Sequence, residues 1–194
     1  MQREEAWLRG PIEGITPLLM PAAHAFVQAV EEAESIAAPL DVDDLWMRPG
    51  GAASAGFHLR HIAGVVDRLF TYARGEELSP EQLSALQIES EPGNPPAEAG
   101  ELLRRLRDTI HRALGELGGL RPEQLLEPRL VGRKKIPSNV IGLVFHAAEH
   151  AQRHTGQLIA TTRIIEGAGL LHYPSQRGSA GNLPLPFRSD LRAR

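Results

Sequence analysis

Four long stretches of this chain carry apolar residues at three- and four-residue spacing, and no set of segments shows the period-two alternation of a half-buried sheet. The first begins near Pro17 or Pro21, where proline suits a first helical turn, and runs to about Ala38. Leu19, Ala23, Phe26, Val27, Val30 and Ala33 form its stripe. Asp41 to Gly51 reads as a break. The second helix is expected from Ser54 or Ala55 to Arg74, stopped by Gly75, with Phe57, His61, Val65, Leu69 and Tyr72 on its buried face. Ser79-Pro80-Glu81-Gln82 has the form of a capping box and opens a short helix to about Leu86. A linker rich in Pro, Gly and Glu follows, from Glu89 to Pro96. The third long helix starts after Asn94-Pro95, carries Leu102, Leu103, Leu106, Ile110, Ala113, Leu114 and Leu117, and ends at Gly118-Gly119.

A short turn over Pro122 to Leu126 leads to a basic connector, Arg129 to Ile136, and Pro137-Ser138 is expected to cap the fourth long helix, which runs to Glu166. Four helices with one apolar stripe each are most simply buried as a four-helix bundle, so the expected fold is all-α, with short extra helices in the connectors. Residues 1–167 make up the bundle and residues 168–194 an irregular Gly- and Pro-rich tail.

Composition narrows the chemistry. Hydrophobic residues make up 42% and charged residues 23%, ordinary values for a folded domain of 194 residues. A formal charge of −3 gives no electrostatic footprint for nucleic acid or anionic membrane. No run approaches 18 apolar residues and the first residues lack a signal-peptide core, so the expected compartment is cytoplasmic. There is no cysteine, which excludes disulfides, a thiol nucleophile and thiolate metal ligands together.

The fourth helix holds the informative motif. His146-Ala-Ala-Glu149-His150-Ala-Gln-Arg-His154-Thr-Gly156-Gln157 places three histidines one turn apart, within an arc of roughly 80° on one helical face. Either His146 with His150 or His150 with His154 can chelate one transition metal, for which imidazole is a common ligand. A bundle builds such a site from facing helices, so a further ligand is required. His58 and His61 on the second helix are the candidates. His61 shares the stripe of Phe57, Val65 and Leu69, while His58 lies roughly 60° away, so His61 is the better third ligand.

These residues resemble the DinB/YfiT-like family of metal-binding four-helix bundles. The likeness rests on Gly56-Phe-His58-Leu-Arg-His61-Ile-Ala-Gly64 and on the His146–Gln157 motif, and it spans about Pro17 to Gly167. It implies a metal held by His61, His150 and His154, with His146 as a neighbour above the site. The family often has Asn where this chain has Glu149. A three-histidine set with open coordination positions is the arrangement of a catalytic site. A histidine-only site accepts zinc or nickel first, and iron as well, and the expected substrate is a small molecule. Members of the resembling family include S-transferases that use a low-molecular-weight thiol, and isomerases; a related hydrolase is in the same range. Glu149 or His146 is the expected proton carrier. A homodimer is implied by the resemblance alone.

Other readings compete. A metal-binding or interaction module without turnover needs the same ligands. His146-Ala-Ala-Glu149-His150 also fits the H-x-x-E-H signature of a zinc protease, with Glu149 as general base. The connector cations Arg129, Arg133, Lys134 and Lys135 read as a solvated loop, or else as a contact for an anionic thiol or carboxylate. Gly156 is expected where another helix approaches closely, and Gln157 as a cap on a histidine nitrogen. Trp46 either fills the core or edges a cleft.

Overall fold

The computed structural model describes residues 4–167, so the expected tail at 168–194 lies outside the described residues. The four long helices are α1 (Met20–Ala37), α3 (Ala55–Ala73), α5 (Ala99–Gly119) and α6 (Val140–Gly167). Two short helices, α2 (Val42–Trp46) and α4 (Pro80–Gln87), occupy connectors. The architecture is the expected all-α bundle. α6 packs between α1 and α3 on one side, and α5 packs against the same two helices on the other. α3 and α6 run in opposite directions, since His58 meets His154 and His61 meets His150.

Local chemistry sets most boundaries. Pro21 sits in the first turn of α1. Ser54 caps α3 by accepting from the Phe57 amide, and Gly75 follows its end at φ 82°. Ser79 and Gln82 form a reciprocal capping box on α4. Leu102, Leu103, Leu106, Ile110, Ala113 and Leu117 of α5 are all buried, as their spacing predicts.

Four details differ from the sequence expectation. Asp41 to Gly51 is not merely a break: Asp41 accepts from the Asp44 amide and starts α2, and a one-turn helix is too short to show a periodic stripe. The basic connector forms a hairpin, β1 (Pro128–Val131) paired antiparallel with β2 (Ile136–Asn139). Pro137 and Ser138 therefore lie in β2, and Asn139 caps α6 by accepting from the Gly142 amide at 2.8 Å. The Val140 and Ile141 amides donate to the Glu127 and Leu125 carbonyls, so three of the first α6 donors find protein partners.

The buried face of α3 also differs. Leu59, Ile62, Ala63, Val66 and Phe70 are among its most buried apolar residues, while Phe57, His61, Leu69 and Tyr72 are half-buried. α3 touches both α5 and α6, so its apolar arc is wide and its centre cannot be read from one stripe. Finally, a Cβ built at Gly156 meets nothing within 4 Å, so no helix approaches there, and Gln157 is exposed rather than capping a ring.

Close packing falls instead at Gly56, where a Cβ would lie 2.9 Å from three ring atoms of Trp46. Trp46 donates from Nε1 to the Ala97 carbonyl at 2.9 Å and lies under the Arg60 guanidinium at 4.7 Å, so the ring is fixed as a packing element. Gly56→Ala gains about 1 kcal/mol of helix propensity but overpacks a rigid ring, at a cost of about 1–3 kcal/mol. Overpacking wins: the variant is expected to unfold at lower denaturant, and an unchanged or raised midpoint would show that Trp46 yields.

Candidate metal centre

Opposed directions of α3 and α6 bring four imidazoles into one cluster. Histidines three apart on α3 and four apart on α6 lie about one turn apart on each helix, so they meet as two cross-helix pairs. His61 Nε2 lies 3.0 Å from His150 Nε2, and His58 Nδ1 lies 3.1 Å from His154 Nδ1. The His61 and His154 ring centroids are 4.4 Å apart and those of His150 and His154 4.7 Å apart. His61, His150 and His154 each offer one ring nitrogen, and those three atoms lie within 4.8 Å of one another. Phe57 stacks on His61 at 5.0 Å and 15°, walling one side of the cluster.

Burial favours the neutral form of His58, His150 and His154. Burial, reinforced by the other histidines, pushes His154 down to about 3, and burial with the neighbouring His61 pushes His58 down to about 4. His150 is lowered by burial and by His61. Neutral imidazole is the form that binds a metal, so these groups need surrender no proton to the solvent near neutral pH.

A divalent transition ion fits this donor set. Two nitrogens held about 2.0–2.1 Å from one ion lie about 2.9 Å apart at a right angle and about 3.3 Å apart at the tetrahedral angle; the His61–His150 separation of 3.0 Å falls in that range. The all-nitrogen set suits zinc, nickel, copper or iron rather than magnesium or calcium.

The remaining expected residues lie at the margin. His146 is half exposed, with its ring 5.4 Å from that of His150. Glu149 accepts from Arg153 and lies 3.6 Å from His146 Nδ1. His24 is drawn off to the Gly10 carbonyl at 2.9 Å. The connector cations are remote: Arg129 donates to the Ala73 carbonyl, twelve residues or about 18 Å along α3 from His61, and Lys135 pairs with Glu77.

Two residues escape the sequence reading. His58, set aside for its angular offset, is 4% exposed and touches His154. Glu89, assigned to a linker, is 5% exposed and accepts from His61 Nδ1 at 2.6 Å while pairing with Arg68 Nη1 at 2.6 Å. Arg68 carried the available signal. An arginine among the apolar positions of a buried helix demands an acidic partner, though its spacing does not say which one.

The sequence pattern of the DinB superfamily matches residues 25–158. The chain belongs to that superfamily. A comparison with curated proteins finds no match. Among solved structures, the chain is similar to one described as the conserved protein of locus from Enterococcus faecalis, with a TM-score of 0.63 at 19% identity, covering 78% of this chain and 99% of that one. At that identity the likeness concerns the fold alone. As in the sequence reading, no helix among the described residues is long and apolar enough to cross a membrane.

The lowered histidines predict a pH response in metal-free protein. Between the ordinary histidine value near 6.5 and the folded values, the unfolded chain binds more protons than the native one, so stability falls as pH falls. The loss is expected to begin near pH 6.5 and continue to about 4 for His58 and about 3 for His154. Chemical denaturation at a series of pH values tests this. His58→Gln should flatten the slope over the upper part of that window, and an unaltered slope would remove His58 as its source.

Proposed function

We propose that this protein is a metal-dependent enzyme whose His61, His150 and His154 hold a divalent transition ion, zinc or nickel first and iron next. The observation that carries the reading is the convergence of these three ring nitrogens within 4.8 Å from two separate helices. When bound, such an ion would supply Lewis-acid activation of a thiol or water by lowering its pKa. The reaction class that suits this chemistry in a DinB-superfamily chain is thiol-dependent S-transfer, or a related isomerisation or hydrolysis, on a small molecule.

The protein's own groups supply orientation and a route for protons. Phe57 fixes the His61 ring by stacking and shields it on that face. His58 abuts His154 Nδ1 and restrains that ring from behind. His146 stands at the solvent margin beside His150, with Glu149 next to it, so this pair is placed to pass a proton between the site and water. Arg153 donates to the Glu149 carboxylate and so holds it next to His146. Glu149→Gln is expected to retain metal and slow turnover of a thiol with a small electrophile; normal metal content with normal turnover would end that assignment.

The protease pattern is less well supported, because the cross-helix contacts of α6 are made by His150 and His154 while His146 is half exposed. Metal analysis separates the two. Wild-type protein is expected to hold one ion per chain, and His61→Ala, His150→Ala and His154→Ala are each expected to lose it. Retention in His154→Ala with loss in His146→Ala would favour the protease arrangement, and a wild type that refuses zinc and nickel would sink both.

A further inference from the structure

Glu89 lies in the connector between α4 and α5, yet its carboxylate is buried and divided between two partners on α3. One oxygen meets Arg68 Nη1 at 2.6 Å and the other meets His61 Nδ1 at 2.6 Å. A carboxylate oxygen accepts, so the contact selects the His61 form with the proton on Nδ1, and in the neutral ring that form has its lone pair on Nε2. That Nε2 is the atom facing His150.

Holding the connector in place does not require this buried ion pair. Arg60 already donates to the carbonyls of Ile88, Glu91 and Pro92, and Trp46 donates to that of Ala97. Burying a carboxylate and a guanidinium carries a desolvation cost before their attraction is counted. Room is also reserved for it. A Cβ at Gly64 would stand 2.3 Å from Glu89 Oε1 and 2.6 Å from Arg68 Nη1, so any larger residue there would displace the pair from its present place.

We propose that Glu89 is a positioning residue of the metal centre: fixed by Arg68 in the space left by Gly64, it locks the His61 ring and tautomer so that Nε2 is presented to the ion. The inference rests on the metal-binding reading above. Carboxylates behind a ligating imidazole orient the ring and raise its basicity, and their removal typically lowers metal affinity about 10- to 100-fold.

The test uses the full chain and zinc alone. In metal-free protein, nitrogen-15 NMR of labelled histidine should show His61 protonated on Nδ1, and Glu89→Ala should shift it toward the Nε2-protonated form. Zinc affinity, measured against a competing chelator, should fall at least tenfold, with helix content by circular dichroism unchanged. Glu89→Gln covers the case in which the alanine variant fails to fold. Its single carbonyl oxygen cannot serve Arg68 and His61 as two carboxylate oxygens do, so a loss of at least threefold and a mixed tautomer are expected. Wild-type tautomer and zinc affinity in either folded variant would overturn the proposal while leaving the metal site standing. A wild type that binds no zinc or nickel would overturn both.

Discussion

The antiparallel packing of α3 on α6 is the constraint on which the rest depends. Both helices bury aliphatic side chains, among them Ile62 and Val66 of α3 and Val144 and Ala147 of α6, and they pack against each other. Where His58 and His61 face His150 and His154, the same interface is built from imidazoles. Burying polar rings costs free energy unless their nitrogens are satisfied, so this part of the seam stabilises the fold less than a leucine layer would. The buried aliphatic residues of the same helices carry the packing.

A second structure encloses the cluster from behind. The connector from α4 to α5 contributes no long helix, yet its backbone is gripped by Arg60 and Trp46 and its one buried acid reaches the back of a histidine. The exposed charges elsewhere behave differently. Pairs such as Arg74 with Glu76 and Lys135 with Glu77 are largely solvated, and pairs of that kind contribute little to stability. Burial, not the count of ion pairs, distinguishes the Glu89–Arg68 contact.

Most of the fold was legible because it rests on short-range chemistry. Capping by Ser54 and Ser79, proline near the start of α1 and the leucine spacing of α5 each act within a few residues. The hairpin was missed because its strands are four residues each and its turn is marked by charged residues, with Gly132 and Lys135 supplying the positive φ angles. In the candidate site, His61, His150 and His154 were legible from periodicity together with the family resemblance. His58 was not, because a helix buried on two sides has no single stripe from which to measure an offset. Glu89 was illegible for a different reason: it meets His61 across 28 residues of chain, and no local pattern encodes that distance. Gly156 shows the opposite error. A glycine in a helix suggested a close neighbour, and open space surrounds it.

The start of α6 has a consequence for how this chain tolerates change in length. Asn139, Glu127 and Leu125 bind the first amides of the helix, so its rotation about its own axis is set there, ten residues before His150. Residues added to the turn between β1 and β2 would enlarge a surface loop and leave that anchor untouched. One residue added between Asn139 and His150 would turn every later side chain by about 100°, moving His150 and His154 together off the face that meets α3. The hairpin thus works as an index mark for the helix, and added residues disturb the histidines only on the helix side of it.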